Sequence, residues 1–543
     1  MGIKGLTKFI NDRSKTYFEN FDLHDCNLII DGHSISCQLY NWKHWHFDTR
    51  SANCYGGDYD KYAFAIEAFF RNLSEVNVTP YVVFDGGFEE KKLPTIMKRM
   101  QDKINTADKL NPTYENENPH HVVFPLALRE VFKDVVRERD IPLAMCIYEG
   151  DTEIASLAKE LNCPVLTFDS DYFLFGCKYI PFNSIDNKVL TRNGRSGTYK
   201  CIQCKLYEIE KLLSDYRGLR EETLHLLPVL LGNDYIDESV FIPFLNSIHI
   251  KDMSFQRRIH SLLLWLRSET LESAIQKILS HFKNPVQRNS VLDNIGKIIS
   301  GYYYTDSNLK KYFNIEPTKG NKNNKPFNFA ALKDKILKDL GTDRTPVEEN
   351  EANATENGIN TNPERNHHLL LENKSQNPIS KVFTTNYSKC KYPSSFMDIL
   401  TQNKYYCIPQ VEDHAKKHSH IHSLELLCSI HKILTNSAAS EFTVVARDVG
   451  TSVKCFVQEK YNLEVPNLDE FEQKPLNERR KVLYDILKID SSIELVLDRV
   501  PEEWHLYLIA LNPDRSIDVD KNLLHYMAQV QKNLCKQRKK FFG

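Results

Sequence analysis

Cys26-Asn-Leu-Ile-Ile-Asp31 is a short apolar run that ends in an acid. Pro80-Tyr-Val-Val-Phe-Asp85 and Pro164-Val-Leu-Thr-Phe-Asp169 repeat this pattern further along the chain. Each run has the length and the branched apolar content of a buried strand. Amphipathic stretches with helical spacing, such as residues 59–76 and 122–139, lie between the runs. Short buried strands that alternate with helices predict an α/β fold, in which a parallel sheet carries helices on both faces.

The acid at the end of each run points to a shared site. In open parallel sheets, ligands bind outside the carboxyl ends of the strands. Three strands would bring Asp31, Asp85 and Asp169 to that edge. A single Asp after a strand is more often a turn residue or a helix cap. For three such acids together, a functional site is the better interpretation.

Four further acids lie at predicted element ends in the same part of the chain. They are Glu149 and Asp151 at the start of a predicted helix, Asp171 close behind the third strand, and Asp234 in Leu231-Gly-Asn-Asp-Tyr235. Carboxylates crowded at one place repel each other and resist ionisation. Divalent cations remove that cost, and Mg²⁺ prefers oxygen ligands. Two such ions can activate a water and stabilise the leaving oxygen of a phosphodiester. The sequence therefore predicts a site for two divalent cations, Mg²⁺ or Mn²⁺, formed by Asp31, Asp85, Glu149, Asp151, Asp169, Asp171 and Asp234.

The order and context of these acids resemble those of flap endonucleases and related XPG-like nucleases. The matching motifs are Met1-Gly-Ile-Lys-Gly-Leu6, Phe84-Asp85-Gly86, Glu149-x-Asp151, Asp169-x-Asp171 and Gly232-Asn-Asp-Tyr235. Two further motifs, Tyr55-Gly-Gly-Asp-Tyr-Asp60 and Tyr81-Val-Val-Phe-Asp-Gly-Gly87, are most similar to the asteroid branch of that superfamily. The resemblance covers roughly the first 240 residues and implies a PIN-like fold, followed by mostly helical C-terminal regions.

The resemblance also implies how the acids are divided between the ions. Asp85 and Asp151 would hold one ion with help from Asp31 and Glu149, and Asp169 and Asp171 would hold the other with Asp234 in an outer shell. Gly2 would lie near the nucleic acid. The implied activity is a metal-dependent, structure-specific endonuclease that hydrolyses branched or single-stranded DNA in DNA repair.

A basic stretch follows the second strand, in a predicted arch-like segment at about residues 87–121. Lys92 and Arg99 occupy the positions at which flap endonucleases place basic residues over the scissile phosphate. There they would stabilise negative charge in the transition state. The alternative is a solvated amphipathic helix. The predicted nucleic-acid contacts are Gly2, Lys91, Lys92, Lys98, Arg99 and Lys103.

Two features depart from the flap-endonuclease pattern. Cys37 stands where those enzymes carry an aromatic residue, and residues 236–243 lack the glycine turn of a helix-hairpin-helix. The preferred nucleic-acid structure therefore stays open, and RNA is an alternative substrate. A second alternative is a weakly catalytic nuclease fold that serves as a scaffold in binding or signalling.

The 543-residue length predicts several domains. The predicted regions are a nuclease core at 1–245, a helical extension at 246–340, a flexible polar linker at 341–380, a helical C-terminal domain at 381–535 and a basic tail at 536–543. The linker is rich in Asn, Glu and Thr, and such a composition does not bury enough apolar surface to order itself.

Composition bears on the location of the protein in the cell and on the state of its cysteines. The net charge is only −2, so charge alone does not indicate nucleic acid. We expect no membrane span and no secretory signal, because long apolar runs are missing from the sequence. The 13 cysteines show no disulfide-scaffold spacing, which favours reduced thiols. We expect a monomeric nuclear protein that is not secreted, with the cytoplasm as an alternative location and repair proteins as partners of the C-terminal region.

Overall fold

The computed structural model describes most of the chain, in two compact units. The described residues are 2–41, 59–109, 123–194, 197–250, 253–303, 307–315, 327–340, 379–435, 441–458, 464–489, 494, 497, 500, 501 and 505. Residues 1–416 and 444–456 form the first unit, and residues 417–443 and 457–543 form the second. The predicted linker up to residue 378, the basic tail and most of the Tyr55–Asp60 motif lie outside the described residues.

The first unit contains a mixed sheet. Its strands are β1 (Phe18–Leu23), β2 (Asn27–Asp31), β3 (Thr79–Phe84), β4 (Leu143–Met145), β5 (Val165–Thr167), β6 (Tyr179–Pro181), β7 (Val189–Gly194) and β8 (Gly197–Tyr207). The order across the sheet is β4-β3-β2-β5-β6-β8-β1, and β7 pairs with β8. Strands β2, β3, β4, β5 and β6 are parallel to one another. The predicted α/β fold with a parallel sheet is therefore confirmed for this part.

The other side of the sheet adds antiparallel strands, so the sheet is mixed and mostly parallel. Strand β8 runs antiparallel to β6, β1 and β7, and we call β1, β7 and β8 the antiparallel margin. Along β8, buried and exposed residues largely alternate. Such a strand faces water on one side, and it lacks the continuous apolar run by which the parallel strands were identified.

The parallel strands form the core of this unit because they are covered on both faces. Leu28, Ile29 and Ile30 of β2 are fully buried, as are Val165 and Leu166 of β5. Ile29 lies beside Val165 on one side and beside Tyr81 of β3 on the other. A parallel strand buried on both faces reads as a continuous apolar run, which is the pattern seen in the sequence.

The chain reverses its direction of travel across the sheet between β2 and β5. From β2 it moves outward through β3 to β4, and then it returns to place β5 on the other side of β2. In doubly wound sheets, ligands bind in the crevice at such a switch point, outside the carboxyl ends of the strands. We call this side of the sheet the carboxyl edge, and it receives the ends of β2, β3, β4 and β5.

Helices cover the sheet and continue the chain beyond it. In the first unit the longer helices are Gly32–Asn41, Tyr59–Glu75, Leu93–Lys109, Leu128–Glu138, Asp151–Glu160, Phe255–Leu266, Leu271–Leu279, Pro285–Ser300, Phe329–Asp339, Lys381–Ser388 and Ser395–Gln402. Shorter helices are Leu6–Asn11, Ser14–Tyr17, Ile209–Asp215, Glu221–Leu224, Leu227–Leu230 and Ile242–Ser247. No helix within the described ranges is both long and apolar enough to cross a membrane.

A small sheet lies in the part of the chain for which the sequence indicated mainly helices. Its strands are β9 (Lys404–Tyr406), β10 (Phe442–Arg447) and β11 (Val453–Gln458), with β10 in the middle. Residues 404–406, 444–447 and 453–456 of this sheet belong to the first unit. The second unit contains the helices Leu424–Thr435, Leu468–Gln473 and Leu476–Ile486.

Candidate metal centre

Asp31 is the last residue of β2 and is almost completely buried. Its two carboxylate oxygens accept hydrogen bonds from Ser34 N at 2.9 Å and from Thr167 Oγ1 at 2.7 Å. Burial raises the pKa of Asp31 to about 6, and Asp169 adds to this rise against the lowering effect of both hydrogen bonds. The carboxyl ends of β2 and β5 are thus joined through Asp31.

Asp85 connects the end of β3 with the next acidic motif. Its Oδ1 accepts a hydrogen bond of 2.9 Å from Gly150 N, which lies between Glu149 and Asp151. Although 39% of its side chain is exposed, desolvation raises the pKa of Asp85 to about 7, helped by Asp31 and Glu149. The Glu149-x-Asp151 motif is therefore fixed beside the end of β3.

Asp169 and Asp171 lie at a short 3₁₀ helix, Ser170–Phe173, that follows β5. Asp169 Oδ1 accepts a hydrogen bond of 3.1 Å from Asp171 N and so caps that helix. Burial, then Asp169, raises the pKa of Asp171 to about 8, and Asp234 and Glu149 contribute to the rise. The second predicted pair of acids is thus near the remaining acids.

Asp151 begins the helix Asp151–Glu160. Tyr172 OH donates a hydrogen bond of 3.2 Å to its Oδ1. Burial raises the pKa of Asp151 well above its usual value, and Asp169 and Asp85 are the largest charges that add to the rise. The negative charges at the ends of two other strands, β3 and β5, therefore act on Asp151.

The structure brings all seven predicted acids into one electrostatic group. Each of them either has its pKa raised by another member or raises the pKa of another member: Asp31, Asp85, Glu149, Asp151, Asp169, Asp171 and Asp234. Such mutual repulsion is the cost that the sequence analysis expected for carboxylates gathered at the carboxyl edge. Their assignment as ligands of two ions stays a prediction.

The donor set suits a hard divalent cation, because it consists of carboxylate oxygens. Within the described residues, however, no three His, Cys, Asp or Glu side chains already have an arrangement that could hold an ion. Several of the acids are turned toward donors of the protein itself, among them Asp31 and Asp85. The residues fit Mg²⁺ chemically, because a carboxylate that accepts one or two hydrogen bonds keeps lone pairs for an ion.

Lys92 and Arg99 contact the acids directly. Lys92 is 6% exposed, forms an ion pair with Glu149, and places Nζ 3.7 Å from Asp234 Oδ2. Burial lowers the pKa of Lys92, but Glu149, Tyr235 and Asp234 outweigh burial and hold it above its usual value. Arg99 Nη2 lies 2.6 Å from Asp234 Oδ1. The two predicted phosphate-binding residues therefore lie at the site, paired with its carboxylates.

The remaining predicted nucleic-acid contacts differ in position. Lys91, Lys98 and Lys103 are exposed. Gly2 lies against the short helix after β5, because a Cβ atom at Gly2 would come within 2.8 Å of Ser170 N. The close approach explains a glycine at this position. Contact of these residues with nucleic acid stays a prediction.

Two residues at the site were not identified from the sequence. His33 Nδ1 lies 3.7 Å from Asp85 Oδ2, and Arg129 Nη2 lies 2.6 Å from His33 Nε2. Burial, followed by the charge of Arg129, lowers the pKa of His33 well below its usual value. A neutral His33 accepts from Arg129 through Nε2 and turns Nδ1–H toward Asp85. His33 could have been noticed because it follows Asp31 closely, but nothing near Arg129 in the sequence marks it.

Comparison with known proteins agrees with this arrangement. Residues 1–106 match the XPG N-terminal domain family, and residues 140–234 match the XPG I-region family. The seven acids lie within these two segments. The protein asteroid of Drosophila melanogaster is 37% identical over 357 residues, which is 56% of this chain and 40% of that protein. Over the matched residues, this chain is similar to the asteroid branch of the XPG-like proteins.

A human asteroid-type relative is also similar to part of the chain. The human single-strand DNA endonuclease ASTE1 is 32% identical over 306 residues, 55% of this chain and 41% of that protein. The chain thus spans about two fifths of the length of these relatives. Among solved structures, the catalytic core of Rad2 in complex with a DNA substrate aligns with 62% of this chain and 100% of its own chain, at 17% identity and a TM-score of 0.33.

Proposed function

We propose that the protein is a divalent-metal-dependent endonuclease that hydrolyses phosphodiesters of branched or single-stranded DNA. The observation that carries this proposal is the gathering of seven mutually repelling carboxylates at the switch point of the sheet. A group of this kind costs stability unless cations offset its charge. Two divalent ions at such a site would activate a water and stabilise the leaving oxygen of a phosphodiester.

The residues of the chain have separate tasks in this proposal. Asp85 and Asp151, with Asp31 and Glu149, would hold one ion, and Asp169 and Asp171 would hold the other with Asp234 in an outer shell. Thr167, Gly150 and Tyr172 orient the acids through the hydrogen bonds that they donate. Lys92 and Arg99, which pair with Glu149 and Asp234, would supply positive charge to a phosphate bound at the same site.

The choice of DNA follows from the relatives rather than from the geometry. The human relative is named a single-strand DNA endonuclease. Two-metal chemistry acts on either nucleic-acid backbone, so RNA is the alternative substrate. A role in DNA repair, a nuclear location and repair-protein partners belong to the same proposal.

The test is a cleavage panel with the full chain. Single-stranded, flap, overhang and hairpin DNA, together with matched RNA, would be incubated with Mg²⁺, with Mn²⁺ and with a chelator. We expect cleavage of DNA that needs the ion and that falls at least about 100-fold in Asp169→Ala and in Asp171→Ala, because each variant removes a predicted ligand.

Glu210→Gln is the matched control. Glu210 is an exposed acid in the helix Ile209–Asp215, which follows β8. The end of β8 lies beside the start of β6, at the edge of the sheet opposite the acids. Full activity of Glu210→Gln is expected. Equal activity of wild type and Asp171→Ala would refute the proposal, whereas binding without cleavage by the wild type would favour a scaffold.

A further inference from the structure

The helix Leu93–Lys109 is anchored to the candidate metal centre along one side. Arg99 forms its ion pair with Asp234, and Thr95 Oγ1 donates a hydrogen bond of 3.2 Å to Asp234 O. Lys92, directly before the helix, pairs with Glu149. The position of this helix therefore sets the position of both basic residues at the site.

A second set of contacts holds the same helix from a distant part of the chain. Gln101 Nε2 donates to Thr451 O at 2.6 Å, and Gln101 Oε1 accepts from Val453 N at 3.1 Å. Asp108 Oδ1 lies 2.7 Å from His414 Nδ1. Thr451, Val453 and His414 belong to the first unit, and we call its residues 379–416 and 444–456 the distal segment.

The two sets of contacts use different faces of the helix. At about 100° per residue, Thr95 and Arg99 share one face, and Gln101 and Asp108, which are seven residues apart, share another. An apolar face lies between them. Its buried residues are Ile96, Met100, Ile104 and Ala107. The helix is thus gripped from two directions, with its apolar face buried between them.

The distal segment also holds the chain that enters the helix. Phe88 N donates to Asp398 Oδ1 at 2.6 Å, and Gln402 Nε2 donates to Phe88 O at 2.5 Å. The rings of Phe88 and Tyr406 meet edge to face, with centroids 5.5 Å apart. The short connection between Asp85 and Lys92 is therefore fixed by the distal segment as well.

Arg447 connects the two loops that contact the helix through hydrogen bonds to both of them. It is 3% exposed, and its Nε donates to Glu412 Oε1 at 3.0 Å. Its Nη1 donates to the carbonyl oxygens of Lys416 at 2.8 Å, Asp448 at 2.6 Å and Gly450 at 3.1 Å. A buried guanidinium with these partners ties residues 412–416 to residues 448–450, so His414 and Thr451 are held together.

We propose that the distal segment is a brace that positions Lys92 and Arg99 at the carboxylate site by fixing the helix Leu93–Lys109. In this proposal Gln101, Asp108 and His414 are positioning residues, because they act through Arg99 and Lys92 rather than on substrate. The effect on cleavage rests on the proposed nuclease function. The effect on the helix itself does not.

The first experiment measures hydrogen exchange of the full chain by mass spectrometry, without nucleic acid. The double variant Gln101→Ala/His414→Ala removes both grips on the C-terminal half of the helix. We expect peptides from residues 93–109 to exchange about tenfold faster or more, because local opening becomes easier. Peptides from the helix Asp151–Glu160 should be unchanged. Gln101→Ala alone is the milder variant, and it should show a smaller change in the same peptides.

Asp102→Asn is the matched control, since Asp102 is an exposed neighbour of Gln101 on the same helix. Its exchange should equal that of the wild type. Unchanged exchange of residues 93–109 in both Gln101→Ala and the double variant would overturn the brace.

The second experiment measures cleavage with the substrate that the wild type prefers. We expect kcat of the double variant to fall about tenfold, since a displacement of about 1 Å at a reacting centre can cost 100-fold. In an Arg99→Ala background the same two substitutions should cause a smaller further loss, because only their effect through Lys92 remains. Full additivity of the two effects would overturn the positioning role.

The two experiments separate this proposal from the proposed function. If the wild type cuts no nucleic acid, the nuclease function is wrong, and the exchange measurement still decides whether the brace exists. If the wild type cuts but the double variant exchanges and cuts like the wild type, the brace is wrong and the nuclease function stands.

Discussion

The carboxyl edge and the antiparallel margin both carry acids, but they treat them differently. At the margin, acids have a basic partner of their own: Asp22 with Arg192 at 3.1 Å, and Glu19 with Lys211 at 2.9 Å. At the carboxyl edge seven acids meet, and among the described residues Lys92 and Arg99 form ion pairs with two of them, Glu149 and Asp234. The acids there raise one another's pKa instead.

This difference separates two uses of charge. An acid paired on the surface contributes little and is easily replaced, because solvent screens it. Acids held together against their repulsion oppose folding, so the fold must be stabilised elsewhere to keep them. A cluster of like charges at the carboxyl edge of a sheet therefore indicates a binding site. The same number of charges in separate ion pairs does not.

Gly86→Ala, at the carboxyl edge, should have the largest effect on cleavage. Gly86 lies between the ends of β3 and β4, and a Cβ atom there would come within 2.6 Å of the backbone carbon of Ile147. Backbone does not yield easily, so Asp85 and Glu149 must move apart. We expect cleavage to fall about 100-fold, since displacement near 1 Å at a reacting centre has that cost. Cleavage rates would measure this.

Gly194→Ala is the counterpart in the antiparallel margin. A Cβ atom there would meet the ring of Tyr199 at 3.2 Å and the backbone oxygen of Gly197 at 3.4 Å, which is ordinary contact. Cleavage should stay at the wild-type level. If both variants lost activity equally, the claim that the site lies at the carboxyl edge and not at the margin would be wrong.

Added cations should stabilise the carboxyl edge and leave the margin unaffected. We expect Mg²⁺ at 100 times its dissociation constant to raise the free energy of unfolding by about 2.7 kcal/mol. Thermal denaturation with and without a chelator would measure the change. In Asp169→Asn the increase should largely disappear, and in Asp22→Asn it should persist. An equal increase in both variants would place the ion elsewhere.

Asp398 differs from the acids of both regions. It is 3% exposed, and it accepts a hydrogen bond from the backbone N–H of Phe88. Desolvation raises its pKa from 3.8 to about 8, against the hydrogen bond from Phe88 N. The folded protein therefore keeps this proton over a range in which the unfolded chain loses it. The stability that this provides is complete below about pH 4 and is lost as the pH rises through 8.

Asp398→Asn should remove this dependence while keeping an oxygen for Phe88 N–H. The variant should gain stability relative to the wild type between pH 6 and pH 9, as measured by urea denaturation. A constant difference across that range would show that Asp398 titrates normally.

Asp22→Asn should have the smallest effect. Asp22 accepts a hydrogen bond of 3.0 Å from Tyr199 OH in addition to its pairing with Arg192. We expect a loss of at most about 1 kcal/mol in the free energy of unfolding, because such partly exposed pairs are weak. Cleavage should be unchanged. A large loss of activity would mean that the margin takes part in the site.

The predictable part of the fold is the part with a local signal. Strands β2, β3 and β5 are continuous apolar runs, so they could be identified without knowledge of their neighbours. The acids at their ends then followed from the rule for parallel sheets. Strand β8 could not be found in this way, because its alternating pattern acquires meaning only from pairing with β1 and β6.

The unpredicted part of the site depends on contacts between distant residues. The pairing of Arg99 with Asp234 requires the helix Leu93–Lys109 to lie across the carboxyl edge. Arg129 is linked to Asp85 through His33. Nothing near Gln101 in the sequence indicates Thr451 as its partner. Side-chain contacts of this kind follow from packing of the whole unit, and a local pattern does not contain them.

The spread of the acids along the chain has a consequence during protein synthesis. Asp31 is made before Asp234, which follows only after every strand of the large sheet. The carboxylates therefore come together as a complete group only when the whole sheet is available to oppose their repulsion.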